Sequence, residues 1–299
     1  MEKTNEQIAM HVSWNAIWWN VVLSIFKLAA GIVGRSAAMV SDSVHSMSDV
    51  LSTFVVMVGV RLANKKADKE HPYGHDRFEC VTAILLAFIL CITGLGIGYA
   101  GLQKVFSGDY SSIAIPSLLP LITAVLSIVV KEAMYWYTRA AARRIRSGAL
   151  MADAWHHRSD ALSSVGSFVG ILGARIGYPV LDSIASLVIS IFIVKASYDI
   201  FADAVSKLTD RACDDKTVEQ IRAVALRHPD VMGVDLLHTR LFGDKIYIDI
   251  EISVDGAASL YESHDIAHRV HDAIEGEFPH VKHCMVHLNP SNPPSPPAQ

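Results

Sequence analysis

Six long apolar stretches, each interrupted by a few polar residues, follow one another through the first two thirds of the chain. They lie at residues 12–33, 36–62, 79–103, 113–137, 147–174 and 178–205. Each is long enough to cross a bilayer, because a helix needs about 20 residues to span about 30 Å of hydrocarbon. Lipid cannot satisfy a polar group, so the polar residues must face other helices or a wet cavity. The pattern predicts an all-α transmembrane domain of six helices.

Beyond about residue 208 the long apolar stretches end, and the apolar residues alternate with polar ones over shorter segments. We predict a capped helix starting near Asp214 or Asp215, two strands joined at Gly243-Asp244, a helix near 260–277 and a strand near 281–288. Together these elements make a small α+β domain. The predicted divisions are an N-terminal segment at 1–11, a six-span transport domain at 12–207, the α+β domain at 208–290 and a disordered tail at 291–299.

Composition and charge support a membrane protein and exclude other classes. The 299 residues are 51% hydrophobic and 19% charged, with a mean hydropathy of +0.32, which is high for a soluble domain. A net charge of −4 without a basic run argues against a nucleic-acid binder. The four cysteines have no paired spacing, so we expect no disulfide framework.

The basic residues of the loops predict the orientation in the membrane. Loops 61–77 and 138–146 carry nine of them: Arg61, Lys65, Lys66, Lys69, Arg77, Arg139, Arg143, Arg144 and Arg146. The loops on the other side hold only Arg35, Lys104 and Arg175. By the positive-inside rule, both termini and the α+β domain lie in the cytoplasm. We therefore expect a multi-pass protein of a cytoplasmic, inner or organelle-like membrane.

A polar cluster occurs twice within the spans, as DSVHSMSDVLS at 42–52 and DAWHHRSDALS at 153–163. Asp, His, Ser, Asp, Leu and Ser recur at the same six places. In a helix, positions i, i+3 and i+7 share one face. Both His-x3-Asp pairs begin about 9 residues into their span, so they lie about 14–20 Å deep, near the midplane. Two antiparallel helices can therefore present these pairs to each other at one level.

Two imidazoles and two carboxylates suit a tetrahedral metal ion. His45, Asp49, His156 and Asp160 are suitable ligands for Zn²⁺ and tolerable ones for Fe²⁺, Co²⁺, Cd²⁺ or Ni²⁺. The alternative is that these residues only form hydrogen bonds between helices. Four ionisable groups at one depth are expensive for packing alone, which favours a metal or proton site. Asp42 and Asp153, one turn away, are candidates for supporting a ligand or relaying protons.

These motifs resemble those of the cation diffusion facilitator family of divalent-metal transporters. HSMSD at 45–49 and HHRSD at 156–160 are similar to its two transport-site motifs, and HPYGHDRFE at 71–79 to its loop motif. The resemblance implies a homodimer that exports metal from the cytoplasm in exchange for protons, by alternating access. It implies His45, Asp49, His156 and Asp160 as transport ligands. Zinc is the first choice, Fe²⁺, Co²⁺, Cd²⁺ and Mn²⁺ remain open, and no organic cofactor is implied.

The resemblance also implies secondary metal sites. Asp68, His71 and His75 match a loop site of some relatives, although these residues also suit a solvated loop. Arg77 and Asp210 match a pair that links the two domains. The α+β domain resembles a metallochaperone, in which cytosolic metal is thought to tighten the dimer. One regulatory site is expected from Asp249, His264 and His283 or His287. Two departures, Asp235 and Asn289, argue against the binuclear site of some zinc members.

Other functions are weighed against the same sequence. An intramembrane metalloprotease needs a His-Glu-x-x-His arrangement, and an ATP-driven pump needs a phosphate loop or aspartyl-phosphate motif; the sequence contains neither. A non-enzymatic transporter is therefore expected. A magnetosome-type scaffold that binds metal and stabilises a partner remains the alternative, although a pure scaffold has no need of four intact ligands.

Overall fold

The computed structural model describes residues 4–33, 37–107, 118–175, 180–243 and 245–291. The chain divides into two compact units, residues 1–205 and residues 206–299. Within the described ranges, the first unit is helical and the second combines helices with a sheet. This is the predicted fold class.

The first unit is a bundle of six long helices. They are α1 (Asn5–Val33), α2 (Ala37–Ala63), α3 (Phe78–Ser107), α4 (Leu118–Ile145), α5 (Gly148–Arg175) and α6 (Val180–Leu208). Each helix overlaps a predicted span, and several continue past its apolar part; residues 36, 113–117, 178 and 179 of the predicted spans lie outside the described residues. Helix α1 begins seven residues before the predicted span, because Thr4 and Gln7 cap it reciprocally: the Gln7 amide donates to Thr4 Oγ1 at 3.2 Å and the Thr4 amide to Gln7 Oε1 at 3.1 Å.

The bundle is apolar outside and carries charged side chains inside, which is the reverse of a soluble domain. Helix α3 exposes an apolar stripe at helical spacing: Val81, Leu85, Phe88, Ile92, Leu95, Tyr99 and Leu102. By length and composition alone, α3 is the one described helix apolar enough to span a membrane, with a mean hydropathy of 2.6. Such extended exposed apolar surface indicates contact with lipid.

Helices α4 and α5 form a hairpin whose register is fixed by aromatic contacts. The buried Tyr135 ring meets Trp155 edge-on at 5.7 Å. The Arg158 guanidinium lies 4.4 Å from the centre of the Tyr135 ring and 3.7 Å from a Glu132 carboxylate oxygen. These contacts hold α4 and α5 in one register independently of any polar group deeper in the bundle.

The second unit is an α+β domain. Its elements are α7 (Asp215–Leu226), β1 (Gly233–Phe242), β2 (Lys245–Val254), α8 (Leu260–Glu277) and β3 (Val281–Pro290). Asp214 caps α7, as expected, by accepting a hydrogen bond from the Thr217 amide at 3.0 Å. The three described strands have the order β1-β2-β3. Strand β1 pairs antiparallel with β2, and β2 pairs parallel with β3. Gly243, with φ of 59°, supplies the left-handed turn of the β1–β2 hairpin.

The core of the second unit lies on one face of the sheet. Alternate residues of β2 point into it and meet the apolar stripe of α8: Ile246, Ile248, Ile250 and Ile252 against Ile266, Val270 and Ile274. The opposite face of β2 therefore carries Tyr247, Asp249 and Glu251. Of the predicted tail at residues 291–299, residues 292–299 lie outside the described residues, and the Ser291 amide donates to the Val254 carbonyl at 2.8 Å.

Candidate metal centre

Helices α2 and α5 bring together three of the predicted ligands. Asp49, His156 and Asp160 each offer a ligand atom, and these atoms all lie within 4.8 Å of one another. Their relative exposures are 2%, 7% and 8%, so the group is enclosed by the bundle. His156 and Asp160 are four residues apart and share one face of α5, which faces Asp49 on α2. The structure thus assembles most of the predicted site from the two repeated segments.

The imidazole of His156 turns a nitrogen toward the carboxylates. Its Nε2 lies 3.5 Å from Asp49 Oδ1, within ion-pairing distance, but makes no hydrogen bond to any residue that the structure describes. Burying an imidazole nitrogen without a hydrogen bond costs free energy. One nitrogen and several carboxylate oxygens at this separation are the donor set that Zn²⁺ and related cations bind.

Lys131 of α4 also enters this group, and the sequence interpretation did not identify it. Its Nζ donates to Asp49 Oδ2 at 2.6 Å and to Asp160 Oδ2 at 2.8 Å, and the residue is 1% exposed. The ammonium therefore offsets the repulsion between two buried carboxylates. A lone lysine in the middle of the apolar run LSIVVKEAM was the available signal, because a charge inside a span is a site hypothesis by default.

The other predicted members of the site are only partly described. The side chains of His45 and Asp42 lie outside the described part of α2, so the fourth ligand stays a prediction. Asp153 is fully buried and accepts a hydrogen bond from Thr53 Oγ1 at 3.1 Å. His157 Nε2 lies 3.6 Å from the other Asp153 oxygen. Asp153 thus ties α2 to α5 beside the ligand group, which suits a supporting role.

The loop between α2 and α3 forms a second group. Asp68, His71 and His75 also place ligand atoms within 4.8 Å of one another. Asp68 lies 3.4 Å from His71 Nδ1 and 3.5 Å from His75 Nε2, and it accepts a hydrogen bond from Lys65 Nζ at 2.7 Å. Hydrogen bonds from Lys65 and from the His71 amide hold the pKa of Asp68 well below its usual range. The carboxylate is therefore ionised at neutral pH, as a metal ligand must be.

The predicted pair between Arg77 and Asp210 stays a prediction. Arg77 belongs to the first unit and Asp210 to the second.

The candidate residues of the second unit do not form one cluster within a single chain. Strand register sets Tyr247 beside His283 and Glu251 beside His287, so His283 and His287 share the outward sheet face with Asp249. His264 is an exposed residue of α8, which packs on the opposite, core face. Asp249 Oδ2 instead lies 3.5 Å from Arg240 Nη2. The sheet therefore separates His264 from the other three residues.

The two residues that depart from the zinc-type pattern, Asp235 and Asn289, are engaged in hydrogen bonds. Asp235 accepts from Ser253 Oγ at 2.7 Å and from Asn289 Nδ2 at 3.0 Å, and these bonds lower the pKa of Asp235. Asn289 also donates to Glu251 at 3.1 Å. Cys284 lies on the core face, where burial raises the pKa of its thiol to about 12. Cys284 thus lies on the opposite sheet face from Asp249, His283 and His287.

Comparison with known proteins covers both units. A family model described as the cation efflux transmembrane domain matches residues 13–209, and one described as the cation efflux protein cytoplasmic domain matches residues 213–291. The chain is 35% identical to metal tolerance protein C1 of Arabidopsis thaliana over 284 residues, which cover 91% of this chain and 60% of that protein. It is 32% identical to magnetosome protein MamB of Magnetospira sp. (strain QH-2) over 278 residues, which cover 92% of this chain and 94% of that protein.

A solved structure also matches the second unit. It is a cadmium form of a variant MamM C-terminal domain, 26% identical to this chain. The match covers 26% of this chain and 98% of that structure, with a TM-score of 0.26.

Proposed function

The chain belongs to the cation diffusion facilitator family of cation efflux transporters, and from this premise we propose that it exports Zn²⁺ from the cytoplasm in exchange for protons. The observation that carries this proposal is the buried group of Asp49, His156 and Asp160 between α2 and α5. In the proposal His45, four residues before Asp49 in α2, supplies the fourth ligand. Two imidazoles with two carboxylates favour zinc, while Fe²⁺, Co²⁺, Cd²⁺ and Mn²⁺ remain the other candidate substrates.

Proton exchange follows from the chemistry of the ligands. An imidazole binds metal only when it is neutral, and a carboxylate only when it is ionised, so metal binding releases protons and metal release takes them up. A site at the midplane that opens to each side in turn converts this competition into coupled transport. We propose that the site faces the cytoplasm to load zinc and the other side to exchange it for protons.

The proposed arrangement is a homodimer in a lipid bilayer with cytoplasmic termini. The exposed apolar stripe of α3 supports contact with lipid, and the basic loop that follows α2 supports the orientation. The match to the cation efflux cytoplasmic domain supports the dimer. In a dimer, Asp249, His283 and His287 on the outward sheet face are the proposed regulatory site, and His264 would come from the second chain.

Flux through reconstituted vesicles tests this function. With an acidic lumen and zinc outside, we expect the purified chain to accumulate zinc in the lumen, and a protonophore to stop the accumulation. Competition by Cd²⁺, Co²⁺, Fe²⁺ and Mn²⁺ then ranks the substrates. Zinc that binds the protein without reaching a lumenal indicator would contradict transport and favour a metal-binding scaffold.

The loop group gives a pair of variants with opposite effects. Asp68→Asn replaces the carboxylate, whose Oδ1 faces His71 and whose Oδ2 faces His75, by a neutral amide, so we expect zinc affinity at the loop to fall about tenfold. Lys65→Gln removes the ammonium that competes for Asp68, so we expect affinity to rise. Calorimetric zinc titration of the full chain measures both, with the transport ligand Asp160 replaced by Asn to isolate the loop. Equal affinities in the two variants would show that the loop is merely solvated.

A further inference from the structure

The Lys131 ammonium lies where a cation held by Asp49 and Asp160 would lie. We propose that Lys131 is a built-in cation of the transport site, which alternates with the transported metal ion on the same two carboxylates. This inference rests on the proposed function, since it requires a divalent cation that enters and leaves the site. It assigns to Lys131 of α4 two effects: it lowers the affinity for metal, and it lets the metal-free site return to the side where metal is loaded.

Geometry makes the two cations competitors. Lys131 Nζ bonds the Oδ2 atoms of both carboxylates, at 2.6 Å and 2.8 Å. A zinc ion bonded to those oxygens at about 2.0–2.2 Å either takes the place of the ammonium or lies beside it within a few ångströms. Two positive charges at that separation repel strongly inside a buried site. Metal binding must therefore push the ammonium off at least one carboxylate.

The lysine side chain is suited to such a movement. Its ammonium is a point charge on a flexible four-carbon stem, so it can withdraw without moving α4. Meanwhile α4 stays in register with α5 through Tyr135, Trp155 and Arg158. Packing does not require a charge here, because a buried ion pair is often no more stabilising than well-packed apolar residues. A structural role alone therefore does not account for Lys131.

The emptied site shows what the charge contributes. Once metal has left, any carboxylate of Asp49 and Asp160 that has not taken up a proton must pass as a buried charge through the closed, dry state of the transporter. Burying a charge without a partner is strongly unfavourable, which would slow that step. Lys131 pairs both carboxylates at once and lets the emptied site return. The same pairing weakens metal binding, which aids release.

Two flux measurements separate this role from a structural one. Net zinc transport requires the emptied site to return, whereas exchange of labelled zinc between two zinc-saturated sides does not. For Lys131→Met we expect zinc affinity to rise and net flux to fall, each on the order of tenfold, because competing ligands are coupled by such factors. We expect zinc–zinc exchange to be retained. Lys131→Arg, which keeps the charge, should preserve more of the net flux than Lys131→Met.

Lys27 offers a matched control. It is equally buried, in α1, but its Nζ donates to Ser46 Oγ at 2.9 Å. Lys27→Met should leave the ratio of net flux to exchange as in the unmodified chain. If Lys131→Met does not fold, Lys131→Gln is measured by the same criteria.

Three outcomes would overturn the proposal for Lys131. These are an unchanged or weaker zinc affinity, a parallel loss of net flux and exchange in a folded variant, and an unchanged net flux. Failure of the unmodified chain to transport zinc would instead refute the proposed function, and it is recognised separately because it needs no variant.

Discussion

Asp160→Asn is expected to lower proton-driven zinc flux by on the order of 100-fold or more while the chain stays folded, since even residues outside the ligand shell cost about 10–100-fold when replaced. Asparagine keeps the shape of aspartate but replaces a charged oxygen by a neutral amide, which is a weak zinc ligand. Asp49 remains to pair with Lys131, so the ammonium is not left alone. The effect therefore falls on metal binding rather than on folding.

Vesicle flux and zinc titration measure this effect, and two aspartates calibrate it. Asp153→Asn removes a charge from the group that ties α2 to α5, and we expect a loss of about tenfold. Asp199→Asn changes an exposed carboxylate of α6 and should transport as the unmodified chain does. Flux in Asp160→Asn that stays within threefold of the Asp199→Asn value would remove Asp160 from the site.

The repeat made most of the transport site predictable from sequence. A helix fixes which residues share a face, and the bilayer fixes how deep a residue lies, so two similar motifs in antiparallel spans point to one level. Asp49, His156 and Asp160 meet as this reasoning requires. The role of these residues as transport ligands is still a prediction, and it is the one that Asp160→Asn tests.

Lys131 shows what such reasoning cannot supply. A single lysine in a span reveals that something must neutralise it, but its partners depend on how α4 is rotated and on how close it lies to α2 and α5. Neither quantity is written in a local pattern. The same holds for His264, since its position relative to Asp249 depends on which sheet face α8 covers. Strand alternation, by contrast, already places Asp249 with His283 and His287 once the register is known.

Gly59→Leu is expected to abolish transport by forcing α2 away from α3. A Cβ atom placed on Gly59 would lie 2.7 Å from the Thr82 Cβ and would also clash with the Thr82 Oγ1 and Cγ2 atoms. Even Gly59→Ala overpacks this contact, which costs about 1–3 kcal/mol of stability. Asp49 lies ten residues away on α2, about 15 Å along the axis, so a tilt of α2 displaces it from His156 and Asp160. The thermal unfolding temperature in detergent and the zinc flux should therefore both fall.

Thr82 supplies graded rescue, which distinguishes this clash from a general sensitivity of the helix. In the Gly59→Ala background, Thr82→Ala removes the Oγ1 and Cγ2 atoms but leaves the Cβ contact, so we expect partial recovery. Thr82→Gly removes all three atoms and should recover more, less the loss of its hydrogen bond to the Phe78 carbonyl. Gly96→Ala is the matched control, because its Cβ would meet nothing within 4 Å. If Gly59→Ala and Gly96→Ala unfold alike, α2 and α3 do not depend on close approach at Gly59, and Asp49 must be positioned by the packing of α2 on its other neighbours, α1 and α5.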